Sequence, residues 1–163
     1  MLKEKSGKRT LLRAAIALVA PLLMTIMVAN GTANAAWRNG ELYNLAKAQC
    51  LDGGGGWVST WSCNGSSVQI WVDQASTSSP YYQPRDNAGQ CLDAGQGNGL
   101  FGCIANDQYQ EFTVEKVLST SDGRTFYRFR GVQDTSKCLD GGQSHQSMWF
   151  PCNGGNYQLW SWA

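Results

Sequence analysis

Short runs of aromatic and β-branched residues alternate with glycine, serine and asparagine along the chain after residue 36. The alternating run at residues 125–130 predicts a strand, and residues 112–117 predict another. The short apolar pairs Leu42 with Tyr43 and Tyr81 with Tyr82 predict two more. No stretch of this part of the sequence keeps a 3.6-residue apolar period between helix caps. The pattern therefore predicts an all-β fold of short strands joined by turns.

The start of the chain has a different pattern. Five of the 13 basic residues fall within the first 13 positions, and residues 14–28 then carry no charge. Ala33 and Ala35 follow as a small-x-small pattern, which completes the three parts of a secretory signal peptide. We expect cleavage after Ala35 and a secreted, extracellular domain of residues 36–163. The alternative is a retained membrane anchor, although this uncharged run is shorter than the roughly 20 residues that cross a bilayer as a helix.

Charge narrows the classes of partner. The whole chain has 13 Lys and Arg against 12 Asp and Glu, a net charge of +1. Without the first 35 residues, eight basic and eleven acidic residues remain, a net charge of −3. Nucleic acids and anionic membranes bind clustered basic charge, so neither is expected as a partner. The single histidine, His145, argues against a multi-histidine metal site or catalysis by several histidines.

Three copies of one sequence unit fill residues 36–163. Each contains a Cys-Leu-Asp tripeptide, and these begin at Cys50, Cys91 and Cys138. A second cysteine follows 12 to 14 residues later, and a Gln-x-aromatic motif follows six or seven residues after that. The second cysteines are Cys63, Cys103 and Cys152, and the motifs begin at Gln69, Gln110 and Gln158. The tripeptides lie 41 and 47 residues apart, which divides the domain into repeats at approximately 37–76, 77–120 and 121–163.

The six cysteines all lie in the predicted secreted part. An even number of cysteines in an exported chain indicates disulfides rather than a zinc site or a reactive thiol. Six cysteines allow 15 pairings. If the three units are structurally equivalent, the pairing lies within each unit, as Cys50–Cys63, Cys91–Cys103 and Cys138–Cys152. Three units of this length fit a closed three-lobed barrel better than a propeller, which needs at least about four blades.

Cys-Leu-Asp, a second cysteine and Gln-x-Trp, repeated three times at intervals of about 40 residues, resemble the ricin B-type lectin domain. The resemblance covers approximately residues 37–163. It implies a β-trefoil, with three pseudo-symmetric repeats of four strands each. It also implies binding of sugars, often galactose or related glycans, without a metal or other cofactor.

The resemblance implies one shallow sugar pocket in each repeat. The aspartate of Cys-Leu-Asp would accept hydrogen bonds from sugar hydroxyls, and the aromatic residue two positions before the second cysteine would stack on the sugar ring. The three pairs are Asp52 with Trp61, Asp93 with Phe101, and Asp140 with Phe150. The glutamines Gln69, Gln110 and Gln158 would brace these sites from behind, and the aromatics Trp71, Phe112 and Trp160 would pack in the core.

The sequence departs from the family at the remaining polar ligands. Galactose-binding members carry an asparagine immediately before the glutamine, where this chain has Val68, Tyr109 and Tyr157. Ser59 is a candidate ligand in the first pocket and Asn156 in the third, with Gln143, His145 and Gln146 near the third pocket. We therefore rank the first and third pockets above the second. A simpler reading is that each aspartate only bonds the backbone of its own turn.

These features predict a metal-independent carbohydrate-binding module for neutral galactose- or xylose-type glycans, on cell surfaces or in polysaccharides. The alternative is a secreted protein-binding module, a toxin accessory subunit or an inhibitor, on the same fold with degenerate sugar sites. An enzyme is not expected, because a general acid/base pair needs two carboxylates in one cleft and the three aspartates belong to different repeats. No membrane span is expected after removal of the signal peptide.

Overall fold

Each of the three sequence units forms four strands in the computed structural model. The first unit contains β1 (Arg38–Asn44), β2 (Gln49–Asp52), β3 (Ser59–Trp61) and β4 (Ile70–Ala75). The second contains β5 (Tyr82–Asp86), β6 (Gln90–Leu92), β7 (Leu100–Gly102) and β8 (Phe112–Ser119). The third contains β9 (Thr125–Gly131), β10 (Lys137–Leu139), β11 (Trp149–Pro151) and β12 (Trp160–Trp162). Helical structure among the described residues is limited to two 3₁₀ turns, Gly54–Gly56 and Asn156–Gln158, which confirms the predicted all-β class.

The structure describes residues 38–75, 80–97, 99–142 and 148–163, all of which belong to one compact unit. The predicted signal peptide, residues 1–35, lies outside the described residues, as do Gln143, His145 and Gln146. None of the described segments contains a helix long and apolar enough to cross a membrane.

Six strands form a closed antiparallel barrel. Around the ring, β1 pairs with β4, β4 with β5, β5 with β8, β8 with β9, β9 with β12, and β12 with β1. Closure leaves the barrel without a free edge strand. The other six strands form three hairpins, β2–β3, β6–β7 and β10–β11, which extend the first barrel strand of each repeat. The three hairpins therefore occupy equivalent places, and each one carries a Cys-Leu-Asp sequence.

The predicted core aromatics occupy the barrel interior. Trp71, Phe112 and Trp160 are completely buried. The indole Nε1 of Trp71 donates a hydrogen bond of 3.0 Å to the carbonyl of Leu51, and Trp160 donates in the same way to Leu139 at 3.0 Å. These bonds tie the leucine of Cys-Leu-Asp to the aromatic of Gln-x-aromatic in the first and third repeats. The spacing of the two motifs is thus fixed by the core.

The second repeat has a phenylalanine at this core position and fixes its hairpin differently. Phe112 stacks on Trp149 of the third repeat, with ring centroids 4.7 Å apart and planes 3° from parallel. Trp149 in turn donates its indole N–H to the carbonyl of Asp93 at 3.2 Å. A ring from the next repeat therefore holds the second hairpin, through the carbonyl of Asp93 and not through that of Leu92, the counterpart of Leu51 and Leu139.

The three disulfides lie within the repeats, as predicted. They join Cys50 to Cys63, Cys91 to Cys103 and Cys138 to Cys152. Each one closes a loop that contains the hairpin and its turn, with sequence separations of 13, 12 and 14. In the chain-entropy model, closing a loop of this size stabilises a fold by about 3 kcal/mol. The disulfides thus hold the glycine-rich turns that carry the candidate site residues.

Candidate functional site

A buried glutamine holds the aspartate of Cys-Leu-Asp in every repeat. The side-chain Nε2 donates to the aspartate Oδ2 at 2.8 Å for Gln69 and Asp52, at 3.0 Å for Gln110 and Asp93, and at 3.0 Å for Gln158 and Asp140. All three glutamines have no exposed surface. The aspartates are therefore fixed in position and orientation from the core side.

The same glutamines also hold the loop around the second cysteine. The Oε1 of Gln69 accepts the N–H of Asn64 at 2.8 Å, and its Nε2 donates to the carbonyl of Ser62 at 3.1 Å. Gln110 and Gln158 make the corresponding pairs of bonds at 2.8 to 2.9 Å. Each glutamine thus links the aspartate to the loop that follows the candidate stacking residue.

The second oxygen of each aspartate bonds its own turn. Oδ1 accepts the backbone N–H two residues later, at 2.7 Å from Gly54, 2.7 Å from Gly95 and 2.8 Å from Gly142. This is the turn-stabilising role that aspartate commonly has in loops. A carboxylate has about four acceptor positions, so these bonds leave it free to accept more wherever it is accessible.

Accessibility separates the first repeat from the other two. Asp52 is half-buried, whereas Asp93 is 2% exposed and Asp140 is 4% exposed. Asp93 also accepts a third hydrogen bond, from the N–H of Gln96 at 3.0 Å. The sequence analysis ranked the first and third pockets above the second. In the structure, Asp140 of the third pocket is nearly as buried as Asp93 of the second.

Tyrosine rings pack on the turns of the two buried aspartates. A Cβ atom placed on Gly95 would lie 2.8 Å from the ring of Tyr109, and one on Gly142 would lie 3.2 Å from the ring of Tyr157. Only glycine leaves room for the Tyr109 ring at this distance. These tyrosines precede Gln110 and Gln158 in the chain, where the galactose-binding members of the resembled family carry asparagine.

In the first repeat, Val68 stands at the position of Tyr109 and Tyr157. The turn that follows Asp52 borders an open cleft. A cleft of about 360 Å³ lies beside Asp52, between Val68 and the β2–β3 hairpin. Its lining is formed by Asp52, Gly54, Trp57, Ser59, Trp61, Asn64, Ser66 and Val68. The cleft therefore brings together all three residues predicted for the first pocket, Asp52, Ser59 and Trp61.

The predicted stacking residues all reach the surface. Trp61 lies opposite Cys50 in the hairpin register, and Phe101 and Phe150 lie at the equivalent positions of theirs. The side chains are exposed by 60%, 45% and 43% respectively. Each repeat thus presents one flat apolar face beside its Cys-Leu-Asp turn.

Two polar residues of the first cleft were missed by the sequence reasoning. Asn64 accepts the N–H of Ser66 through Oδ1 at 2.9 Å, which leaves its side-chain amide N–H groups available as donors. The Oγ atom of Ser66 is buried and has no hydrogen-bond partner among the described residues. A usable signal was present, because Asn64 directly follows Cys63 just as Asn153 follows Cys152.

Asn156, predicted as a ligand of the third pocket, is exposed at the start of a 3₁₀ turn. Its neighbour Tyr157 is the residue that packs against Gly142, beside Asp140. The third repeat therefore presents an aromatic ring at the place where the sequence suggested an amide.

One group of potential metal ligands occurs in the described segments, formed by Glu41, Cys50 and Cys63. The two cysteines are bonded to each other. The Oε1 of Glu41 accepts the N–H groups of Asn64 at 3.0 Å and Gly65 at 2.7 Å. Both observations assign these residues to holding the loop after Cys63.

No family model matches the sequence, and no curated protein matches it either. Solved structures do match the fold. The designed threefold-symmetric protein ThreeFoil has a TM-score of 0.61 and 18% identity, over 75% of this chain and 95% of its own. SeviL bound to asialo-GM1 saccharide has a TM-score of 0.58 and 16% identity, over 76% of this chain and 94% of its own.

A mosquitocidal holotoxin contains the same fold within a longer chain. Its TM-score is 0.60 at 19% identity, over 77% of this chain, which spans 17% of the holotoxin's own length. The fold therefore occurs both in small single-domain proteins and as a part of larger ones. Together with the twelve strands and the three equivalent disulfides, these matches show that the chain has the β-trefoil fold.

Proposed function

We propose that this protein is a secreted carbohydrate-binding module whose principal sugar site is the cleft of the first repeat. The observation that carries this proposal is the accessible carboxylate of Asp52 beside the exposed ring of Trp61. A hydrogen-bond acceptor next to a flat apolar face is the combination that a sugar ring needs, since the ring has hydroxyls on its edge and C–H groups on its faces.

The contacts of Asp52 define what it offers a ligand. Gln69 and Gly54 each donate one hydrogen bond to it, which leaves about two of its four acceptor positions for vicinal hydroxyls. Ser59 and the amide of Asn64 line the same cleft and add a hydroxyl and a donor. Asn64 takes over the amide role that Val68 cannot fill.

The ligand class follows from charge and from the shape of the cleft. The predicted secreted part has a net charge of −3, which favours neutral glycans of the galactose or xylose type over sulfated ones. A single open cleft of this kind binds with a Kd of about 1 mM, or −4 kcal/mol. Useful affinity therefore requires two or three pockets, or several molecules of the protein, engaged on one polymer, such as a cell-surface glycan or a polysaccharide. The solved structure of SeviL with asialo-GM1 saccharide supports this use of the fold.

Retention on immobilised galactose, lactose and xylose, with elution by the free sugars, tests the proposal. Trp61→Ala and Asp52→Ala should each reduce retention at least tenfold. Ile104→Ala is the matched control, because Ile104 is similarly exposed, at 47%, but does not line the cleft. Circular dichroism should show that all three variants are folded. Undiminished retention of both cleft variants would place the site elsewhere.

A second candidate is recognition of a partner protein, which the burial of Asp93 and Asp140 favours for the second and third repeats. A broad glycan panel that retains nothing would select this alternative over sugar binding. Catalysis is not proposed. Each motif aspartate is held by its own turn and its own glutamine, and the three belong to different repeats.

A further inference from the structure

We propose that Glu41 protects the side-chain amide of Asn64 from deamidation, and that Asn153, its counterpart in the third repeat, is the asparagine that deamidates. Asn64 lines the cleft beside Asp52, so the protected amide belongs to the first repeat. The modification itself does not depend on a ligand, whereas its consequence for the cleft rests on the proposed function.

Both asparagines precede a glycine, which has no side chain to hinder attack by its own backbone nitrogen. In deamidation, this nitrogen forms a bond to Cγ of the asparagine, and the bond from Cγ to Nδ2 breaks. Ammonia leaves with the proton that the glycine N–H gives up, and a five-membered succinimide remains. Water then opens the ring at either carbonyl, which yields aspartate or isoaspartate.

The two loops have the same backbone turn. The Oδ1 of Asn64 accepts the N–H of Ser66 at 2.9 Å, and the Oδ1 of Asn153 accepts the N–H of Gly155 at 2.8 Å. The backbone N–H of each asparagine donates to the Oε1 of the buried glutamine of its repeat, at 2.8 and 2.9 Å. The glycines that follow have similar φ angles, +66° and +76°. Local conformation therefore does not distinguish the two asparagines.

The hydrogen bond of the glycine N–H does distinguish them. Gly65 donates its N–H to the Oε1 of Glu41 at 2.7 Å. Gly154 is exposed, and its N–H donates to no described residue. In the third repeat, Arg128 stands at the position of Glu41, because each lies two residues before the barrel residue that pairs with the first cysteine of its hairpin. The carboxylate is therefore specific to the first loop.

Glu41 opposes closure of the succinimide ring in two ways. The glycine nitrogen must release its proton and turn towards Cγ, which breaks a charge-assisted hydrogen bond, a kind roughly twice as strong as a neutral one. Negative charge then develops on this nitrogen and on Oδ1, and the carboxylate repels it at close range. We therefore expect Asn64 to deamidate at least tenfold more slowly than Asn153, equivalent to a barrier higher by about 1.4 kcal/mol.

Deamidation would have different consequences in the two repeats. An aspartate at position 64 would lack the amide donor and would add a second negative charge to the cleft that Asp52 lines. In the third repeat, the same change falls on a loop whose motif aspartate, Asp140, is only 4% exposed. The protecting carboxylate thus lies in the repeat whose amide belongs to the proposed sugar site.

Peptide mapping by mass spectrometry tests the inference on the full secreted chain, aged at mildly alkaline pH. Cleavage after lysine and arginine puts Asn64 on residues 48–85 and Asn153 on residues 138–163, so the two rates are read separately. Glu41→Ala should raise the rate at Asn64 to within about threefold of that at Asn153. Glu41→Gln, which keeps an acceptor oxygen and removes the charge, should give an intermediate rate. The rate at Asn153 is the matched control in each variant and should stay within twofold.

The same measurement in urea, with the disulfides intact, removes the contacts of the fold, and the two rates should then become similar. A tenfold difference that persists in urea would place its origin in the local sequence and overturn the inference. Equal rates in the folded protein, or an unchanged rate at Asn64 in Glu41→Ala, would also overturn it. A slower rate at Asn64 in Glu41→Ala would mean that the carboxylate acts as a base for the reaction rather than as protection.

Retention on galactose resin tests the consequence for the cleft separately. Asn64→Asp should reduce retention at least fivefold, whereas Asn153→Asp should keep it within twofold. If the unmodified protein is not retained, the proposed function fails, and the two deamidation rates still decide whether Glu41 protects Asn64. Equal retention of the two variants would overturn the role of the Asn64 amide in the cleft.

Discussion

The first repeat and the other two share one scaffold but present different surfaces. In all three, a buried glutamine and a glycine turn hold the aspartate of Cys-Leu-Asp in the same way. The repeats differ in the residue before this glutamine, which is Val68 in the first repeat and Tyr109 or Tyr157 in the others. The small side chain leaves an open cleft at Asp52, and the rings pack over the turns beside Asp93 and Asp140. The first repeat thus offers an accessible carboxylate beside exposed rings, whereas the second and third present exposed rings beside buried aspartates.

The comparison also separates structural from binding roles of the aspartates. Because Asp93 and Asp140 are retained in repeats where they are almost inaccessible, their bonds to the turn and to the glutamine are sufficient reason for their presence. Asp52 makes the same bonds and is accessible as well. Aspartate in this motif is therefore a structural residue in all three repeats, and only Asp52 is also accessible to a ligand.

The largest expected effect comes from removing the shared brace. Gln110→Ala would leave the buried Oδ2 of Asp93 and two backbone groups without their hydrogen bonds, which should lower the free energy of unfolding by about 3 kcal/mol. Gln69→Ala should cost less, about 2 kcal/mol, because water can reach Asp52. Urea denaturation of both variants measures the difference. Equal losses would mean that the two aspartates are equally solvated, contrary to their exposures.

Gly95→Ala tests the packing of the tyrosine ring. Its Cβ would meet the Tyr109 ring at 2.8 Å, and overpacking of this kind costs about 2 kcal/mol. The same substitution in a Tyr109→Val background should cost at least about 1 kcal/mol less, because the ring is gone. A thermal or urea double-mutant cycle measures this coupling. An additive cycle would show that the ring does not rest on this turn.

Val68→Tyr should give the first repeat the same tyrosine beside its aspartate turn that the second and third repeats have. A ring at this position would pack towards Gly54, whose Cβ position is 3.4 Å from Val68, and would cover Asp52. We expect galactose-type retention to fall about tenfold, equivalent to about 1.4 kcal/mol, with little change in stability. Val68→Ile is the matched control, since it adds volume without a ring. If Val68→Tyr binds as well as Val68→Ile, an open turn at Asp52 is not what determines binding.

Most of the scaffold could be predicted from the sequence, because it is encoded by residues at fixed spacings. The three tripeptides, the second cysteines and the Gln-x-aromatic motifs are local patterns, and each one recurs three times. Repetition identified the units, and the equivalence of the units gave the disulfides. The core positions of Trp71, Phe112 and Trp160 followed from the resemblance and are confirmed by their complete burial.

The accessibility of the sites could not be predicted in the same way. Tyr109 and Tyr157 were interpreted as the loss of an asparagine ligand, whereas the structure shows that each brings a ring onto a turn more than ten residues away in the chain. This packing depends on the rotamer of the tyrosine and on the lack of a side chain at Gly95 or Gly142. The role of Asn64 was missed although its position directly after Cys63, like that of Asn153 after Cys152, was a usable signal, and the fold brings it to the cleft of Asp52.

Two buried polar side chains at equivalent positions of the first and second repeats, Asn44 and Asp86, differ in their hydrogen bonds. Asn44 and Asp86 occupy equivalent places, one residue after the barrel residues Tyr43 and Arg85 that pair with the first cysteines of their hairpins. Asn44 is fully buried and donates its Nδ2 to the carbonyl of Tyr157 at 2.8 Å. Asp86 accepts the N–H of Gln90 through Oδ1 at 2.7 Å. Its Oδ2, however, is buried without a hydrogen-bond partner among the described residues.

Asp86→Asn should therefore stabilise the protein by about 1 kcal/mol, the smallest of the expected effects. The new amide would face the carbonyl of Val68, which accepts the N–H of Gly53 just as the carbonyl of Tyr157 accepts that of Gly141. The Oδ1 bond to Gln90 is kept, so the change adds a donor without removing an acceptor. A higher urea midpoint at unchanged slope would confirm the equivalence. The reverse change, Asn44→Asp, should destabilise the protein by at least as much, because it removes a donor from a satisfied carbonyl and buries a second unpaired oxygen.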